Sequence, residues 1–276
     1  MIKLSDLDQV VNMPKIMGVL NITPDSFYKG SRFQDRDTAV ATARQMVADG
    51  ADILDIGGES TNPKLDVTVS QISAEQECDR VVPIIEHIRR HVEVDISVDT
   101  SKPEVMRAAV AAGATIINDQ RALTMPGAMQ AAVELAVPVC LMQMYGLNVR
   151  IPNSQPYQRT LEEIKAFLNS RAEACMAAGI DQENIVIDPG FGHGNYGKST
   201  EENLYLINYI DQFAELGFPV MLGVSRKTTI GEVLDVPTEE RLYGSIGLHV
   251  LAALRGVNII RTHDVLPTAQ SVRLAL

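Results

Sequence analysis

The sequence predicts an α/β protein of the (β/α)8 barrel class, a TIM barrel formed as one domain over residues 1–276. Three observations carry this expectation. Short β-branched apolar runs alternate with longer helical patterns along the whole chain, eight such runs can be distinguished, and no low-complexity linker divides them. In a chain of this length that alternation points to a closed barrel, with a doubly wound open sheet as the alternative.

The expected strands are Ile16–Asn21, Asp52–Gly57, Val94–Asp99, Thr115–Asp119, Pro138–Gln143, Ile185–Asp188, Pro219–Gly223 and Asn258–Thr262. The intervening helices carry start and stop signals. In "SKPEVMRAAVAAG", Ser101 can cap, Pro103 suits the first turn, Glu104 would close a capping box and Gly113 ends the helix. Gly50 after "TAVATARQMVAD" and Gly179 after "LEEIKAFLNSRAEACMAA" repeat the stop signal.

Composition narrows the function classes. Apolar residues make up 46% of a chain without Trp, so the core must be built from Val, Ile, Leu, Ala and Met. With 35 acidic against 24 basic residues, the formal charge of −11 argues against a nucleic-acid binder that works by neutralising phosphates. Cys78, Cys140 and Cys175 are odd in number, far apart and set in apolar or helical segments, which suggests neither disulfides nor zinc and fits a reducing cytosol. The opening "MIKLSDLDQVVNMPK" has no continuous apolar stretch, and no later run is long enough to span a membrane. A cytoplasmic protein is expected.

What stands at the end of each apolar run is more informative. In order these are Asn21, Asp55, Asp99, Asn118 with Asp119, Gln143, Asp188, the triplet Ser225-Arg226-Lys227, and Arg261 with His263. Each alone reads as a turn residue. Together, at the rim where barrels place their active sites, they offer convergent donors and acceptors suited to a small polar heterocycle.

The segments "GVLNITPDSF", "ILDIGGEST", "ISVDTSKPEV", "IINDQR", "PVCLMQM", "IVIDPGFG", "GVSRKT" and "IIRTHDV" resemble, in order and spacing over essentially the whole chain, the motifs of the dihydropteroate synthase family. The resemblance implies a pterin-binding barrel of folate biosynthesis. Its reaction condenses 6-hydroxymethyl-7,8-dihydropterin pyrophosphate with p-aminobenzoate, giving 7,8-dihydropteroate and pyrophosphate.

Carried over residue by residue, the resemblance puts Asp188 on the pterin's amino-pyrimidinone edge, where a carboxylate can accept two adjacent donors. Asp99 and Asn118 complete the ring's hydrogen bonds, with Thr61, Met142 and Gly223 also lining the pterin side. Lys227 reaches the ring carbonyl and a ring nitrogen, and the planar guanidinium of Arg261 stacks on the pterin while its charge faces the anion pocket. Asn21, Arg261 and His263 would contact the pyrophosphate, and Asn21 would lie beside a Mg²⁺ that arrives with the substrate's phosphates. Lys227, Arg261 and Asn21 are the expected catalytic residues. Thr61, Pro63, His193 and Thr228 would face p-aminobenzoate, and the family implies a homodimer that no feature here independently establishes. In the family the pyrophosphate departs largely before the amine attacks, so catalysis rests on positioning and electrostatics.

Departures fall in two loops and in the second-substrate pocket. The family pattern Phe-Ser-Asp-Gly reads Phe27-Tyr28-Lys29-Gly30 here, and "ESTRPG" reads Glu59-Ser60-Thr61-Asn62-Pro63-Lys64. A carboxylate and an arginine are thereby lost, with Lys64 able to replace the charge but not the fork. "GFGFGK" becomes Gly190-Phe191-Gly192-His193-Gly194-Asn195, placing His193 where an aromatic wall is usual, and "LMHM" becomes Leu141-Met142-Gln143-Met144. A pterin-binding paralogue without this activity, or using another acceptor, is therefore the competing expectation. A barrel methyltransferase would share the pterin pocket, but nothing marks a corrinoid partner.

Other motifs are set aside. His87 and His91 stand four apart on a helix but lack a third metal ligand, so they read as a solvated face. "GFGHGNYGKST" ends in Gly-Lys-Ser without the spacing of a nucleotide-binding loop. The methionines read as core and pocket lining.

Overall fold

The computed structural model describes residues 13–22, 32–59, 72–145 and 157–276. Its eight strands are all parallel: β1 (Lys15–Asn21), β2 (Ile53–Gly57), β3 (Asp95–Asp99), β4 (Ile116–Asp119), β5 (Val139–Met142), β6 (Ile185–Asp188), β7 (Met221–Leu222) and β8 (Ile259–Thr262). They form one sheet in the order β6-β5-β4-β3-β2-β1-β8-β7. Its two ends meet through a parallel bridge between Ile187 and Val220, so the sheet closes on itself. Each expected strand is found, most of them one residue shorter at an end, and β7 is reduced to two residues.

Helices follow the strands around the outside. They are α1 (Arg32–Ala48), α2 (Ala74–His91), α3 (Pro103–Ala111), α4 (Ala128–Leu135), α5 (Tyr157–Ala178), α6 (Thr200–Asn208), α7 (Thr228–Leu234), α8 (Leu242–Leu254) and α9 (Val265–Ala275). Capping boxes at Ser73/Gln76 and Ser199/Glu202 start α2 and α6, satisfying backbone N–H groups that the first turn leaves open. Gly50, Gly113 and Gly179 take the positive φ expected of helix-stopping glycines. The Ser101 expectation needs correction. The N-cap of α3 is Lys102, and the buried Ser101 hydroxyl donates instead to Asp119.

Two apolar clusters result from strand alternation. Outward residues such as Leu54, Ile96, Ile117, Leu141, Ile187 and Ile260 pack with the helices in the main core. Inward residues Met17, Ile53, Cys140, Val186, Met221 and Ile259, with Ile116 against them, plug the barrel's interior. Successive side chains alternate faces, so positions two further on point inward one layer higher. Those positions are Val19, Asp55, Asn118, Met142, Asp188, Gly223 and Arg261, most of the polar ones reaching the cavity. An apolar floor thus carries a polar layer directly above it.

Candidate active site at the C-terminal rim

Strand register sets the polar layer level. Asn21 pairs with Gly57, Gly57 with Asp99, and Asp99 with Asn118, so four neighbouring strands end side by side. Across β5 and β6, Met142 pairs with Asp188. Gly57 leaves space between its neighbours: a Cβ there would stand 3.5 Å from Asp99 Cβ and 3.8 Å from Asn21 Oδ1. Gly223 likewise leaves room for the stem of Arg261, whose Cβ would lie 3.6 Å from a Cβ at that position.

These side chains surround one small cavity lined by Asp99, Asn118, Gln120, Met142, Asp188, Phe191, Tyr196, Met221, Gly223, Lys227 and Arg261, with about 20 Å³ of open volume. Eight of the expected pocket residues are thereby located: Asp99, Asn118, Met142, Asp188, Gly223, Lys227 and Arg261 line it, and Asn21 stands at its edge beside Asp99. Thr61 and Pro63, with Tyr28, Lys29, Asn62 and Lys64, lie outside the described residues.

Arg261 organises the floor of the cavity. Its Nε donates to Asp55 Oδ2 at 2.7 Å and its second amino group to Asp99 Oδ2 at 2.9 Å. Asn118 Nδ2 donates to Asp55 at 3.2 Å, and Gln120 Nε2 donates to both Asp99 oxygens at 2.9 and 3.0 Å. Burial opposes the Arg261 charge, yet Asp55 and Asp99 outweigh it and hold the guanidinium protonated above its usual range. Burial, followed by Asp55, pushes Asp99 up to about 7 against the pull of Arg261 and Gln120. Burial also raises Asp188, which is offset by the Gly190 N–H bond at 2.7 Å and by Lys227, Arg261 and Lys198. A carboxylate in such a dry site needs donors or cations to remain ionised.

The β7 and β8 loops are tied together. Ser225 Oγ accepts from the His263 backbone N–H and contacts its Nδ1, both at 3.1 Å, while Arg226 forks Asp264 with two bonds of 2.8 Å. Arg226 adopts φ 56° to make this fork and donates its N–H to Ser245. The pairing fixes Lys227 and Arg261, which flank it in sequence, relative to one another. Desolvation, then Arg261, lowers His263 to about 4, so its imidazole is neutral at physiological pH.

His193 does not line the cavity. Its Nε2 contacts Thr200 Oγ1 at 3.1 Å and its Nδ1 lies 3.5 Å from Glu232, so it joins the β6 loop to α6 and α7. Of the two aromatic side chains lining the cavity, Phe191 and Tyr196, Tyr196 is the one that meets Lys227, whose Nζ lies 3.5 Å from its ring centre. Thr228 begins α7 beside the site but is not part of the lining. Asp119, adjacent to Asn118, faces away and accepts from Ser101, Arg121 and Leu123 to shape the following loop. His87 and His91 sit 4.7 Å apart on α2, with His87 directed to Asp37.

Asp55, Gln120, Tyr196 and Lys198 escaped assignment from the sequence. Asp55 stood among the polar strand ends and Lys198 within a quoted motif; Gln120 and Tyr196 had no signal beyond adjacency to "IND" and to a glycine-rich run.

A closed parallel barrel whose rim holds two buried carboxylates, two carboxamides, a lysine and an arginine around a narrow slot defines a binder of a planar, donor-rich heterocycle. A model of the pterin-binding enzyme family matches residues 17–263. The dihydropteroate synthase of Haemophilus influenzae is 41% identical over 264 residues, covering 96% of this chain and 94% of that one. That of Escherichia coli is 42% identical, covering 95% and 90%. The solved structure of the Coxiella burnetii dihydropteroate synthase in complex with pteroic acid superposes with a TM-score of 0.87 at 46% identity, covering 96% of this chain and 93% of that one. The Xanthomonas albilineans enzyme with 4-aminobenzoic acid gives 0.86 at 43%, covering 96% and 92%. The chain belongs to the dihydropteroate synthase family.

Proposed function

We propose that this chain is a transferase that condenses 6-hydroxymethyl-7,8-dihydropterin pyrophosphate with p-aminobenzoate to give 7,8-dihydropteroate and pyrophosphate in folate biosynthesis. The observation that carries the reading is the convergence of Asp99, Asn118, Asp188, Lys227 and Arg261 on one buried slot. Asp188 accepts the paired donors of the amino-pyrimidinone edge, and Asn118 and Asp99 serve the rest of the ring. Lys227 donates to the ring carbonyl. With about 20 Å³ open, the slot must widen to admit a bicyclic ring, and release of Tyr196 from Lys227 and of Arg261 from Asp99 would supply the room. Arg261, once released from Asp99, stacks on the ring and turns its charge to the departing pyrophosphate, assisted by His263 and Asn21.

Asn21 supports a place for Mg²⁺. Its carboxamide offers a hard oxygen at the rim, and among the described residues no group of three or more His, Cys, Asp or Glu could hold a metal. Asn21 would hold such an ion together with the substrate's phosphates, and the ion's chemistry there would be to neutralise charge on the leaving pyrophosphate. The amine attacks the methylene as a neutral aniline, so the site needs no strong base, and its task is to hold the reactants aligned and the leaving group charged.

The assignment of Thr61, Pro63 and Thr228 to the acceptor side belongs to this reading, with Tyr196 in place of His193 as the aromatic wall. A homodimer is favoured by large exposed apolar groups on α8 and nearby, Tyr243, Leu254 and Leu234 among them, and light scattering of the purified chain tests it. Among the described residues no helix is long and apolar enough to cross a membrane, and Cys78, Cys140 and Cys175 are unpaired, which favours a cytoplasmic location. Fractionation of cells tests that location.

The decisive experiment is pyrophosphate release from the dihydropterin diphosphate, with and without p-aminobenzoate and Mg²⁺. Release that depends on both is expected. Tight pterin binding with no amine-dependent release would overturn the synthase reading and favour an inactive or acceptor-altered paralogue.

A further inference from the structure

Lys198 lies outside the cavity lining and has no part in the reaction as derived above. It is 3% exposed, and its Nζ is held by three carbonyl oxygens: Gln143 Oε1 at 2.7 Å, Gly190 O at 2.7 Å and Tyr196 O at 3.3 Å. An ammonium has three N–H donors and a neutral amine two, so this cage matches the charged form. None of the three acceptors carries a formal charge, although a lysine buried this deeply usually faces a carboxylate.

The position of the cage explains this. Gly190, whose carbonyl Lys198 grips, is the residue whose N–H donates to Asp188 Oδ1. Tyr196, whose carbonyl it also grips, places its ring in the cavity over Lys227. Gln143 continues β5 beside Asp188, whose backbone carbonyl accepts the Gln143 N–H at 2.9 Å. One buried cation therefore fastens the turn that presents Asp188, the loop that carries Tyr196 and the end of the neighbouring strand.

We infer that Lys198 is a positioning residue for the pterin edge, a buried cation that keeps Asp188 ionised and fixes the Gly190–Gly197 loop around it. This deepens the proposed function and rests on its assignment of Asp188 to the pterin. The charged groups acting on Asp188 are, in decreasing order, Lys227 at the start of α7, Arg261 on β8 and Lys198, the only one of the three that also grips the Gly190 turn. Those acting on Lys198 are Asp188 on β6, Lys227, and Glu202 on α6. Desolvation lowers Lys198 to about 7 while Asp188 supports its charge, so the pair helps to hold each other ionised near neutrality. Lys227 faces the cavity beneath the Tyr196 ring, and Arg261 is engaged with Asp55 and Asp99. Lys198 is the cation dedicated to the Asp188 turn.

The test is pterin affinity against pH in Lys198→Gln, which removes the charge but keeps an amide donor for the cage, with Lys198→Met as a second variant. Thermal unfolding establishes that each is folded, and calorimetry in two buffers of different ionisation enthalpy counts the protons exchanged. Lys198→Gln should bind pterin about tenfold or more weakly near pH 6.5, with the deficit shrinking by about pH 8.5, and should release more protons on binding than the parent chain. A deficit that is uniform across this range, with unchanged proton release, would reduce Lys198 to a structural anchor and overturn the inference. Asp188→Asn distinguishes the two levels: undiminished pterin binding in that variant rejects the pterin assignment itself, independently of Lys198.

Discussion

Lys227 Nζ stands 3.5 Å from the centre of the Tyr196 ring, so the cation expected to meet the pterin is capped by an aromatic face. A contact of this kind stabilises by about 0.5–2 kcal/mol depending on solvent access. It must be broken before a ligand reaches Lys227.

Tyr196→Ala should therefore speed pterin association by roughly tenfold, since a cation–π contact of about 1.4 kcal/mol no longer opposes entry. The same change removes the aromatic wall and should raise KM for p-aminobenzoate. Stopped-flow pterin fluorescence and steady-state kinetics measure the two effects. Unchanged association would mean that the ring does not occlude the slot.

Gly190 and Gly179 make a matched pair of backbone tests. Both have positive φ, 67° and 106°. A Cβ at Gly190 would stand 2.0 Å from the Gln143 carbonyl oxygen, whereas one at Gly179 would meet nothing within 4 Å. Gly179→Ala should cost about 1 kcal/mol, the conformational penalty alone. Gly190→Ala should cost at least about 3 kcal/mol and displace the Asp188 turn as well. Denaturant midpoints compare them, and equal losses would contradict the close approach at Gly190.

Asp99 sets a pH dependence of definite sign. Its folded value near 7 lies above the roughly 3.9 of an unfolded chain, so the native state holds the proton more tightly. The stability it contributes is complete below about pH 4 and is lost as pH rises through 7. Asp99→Asn should flatten that part of the stability curve, as urea unfolding at about pH 5 and about pH 8 would reveal. An equal fall in both proteins would assign the dependence elsewhere. Pterin affinity should run the opposite way in the parent chain, increasing as the accepting carboxylate forms.

The barrel and its polar rim were legible because both follow from period-two alternation. Ile53 and Asp55, Val186 and Asp188, Ile259 and Arg261 each place an inward apolar residue two positions before an inward polar one. The partners within the rim were less legible. Asn118 and Asp119 are adjacent and both polar, yet they face opposite ways, and only their strand's orientation separates pocket from loop. Ser101 has every property of a helix cap, but burial beside Asp119 claims its hydroxyl. His193 was placed by counting along a motif. The loop reverses at Gly192, Gly194 and Gly197, all with positive φ, and thereby brings Tyr196 to the cavity and sends His193 to Glu232. Lys198 was hidden for the same reason, since its three acceptors come from separate points along the chain.

The closure between β6 and β7 bears on how this barrel behaves as a mechanical object. Every other neighbouring pair of strands is joined along two or more residues, whereas this seam rests on the single Ile187–Val220 bridge. Asp188 stands just above one lip of the seam, with Gly223 and Lys227 beyond the other. A ring hydrogen-bonded to both Asp188 and Lys227 would span the gap as a staple, supplying a rung that the backbone omits. Substrate would then complete the hoop as it enters, and amide protons along β6 and β7 would become the most sensitive reporters of whether the slot is filled.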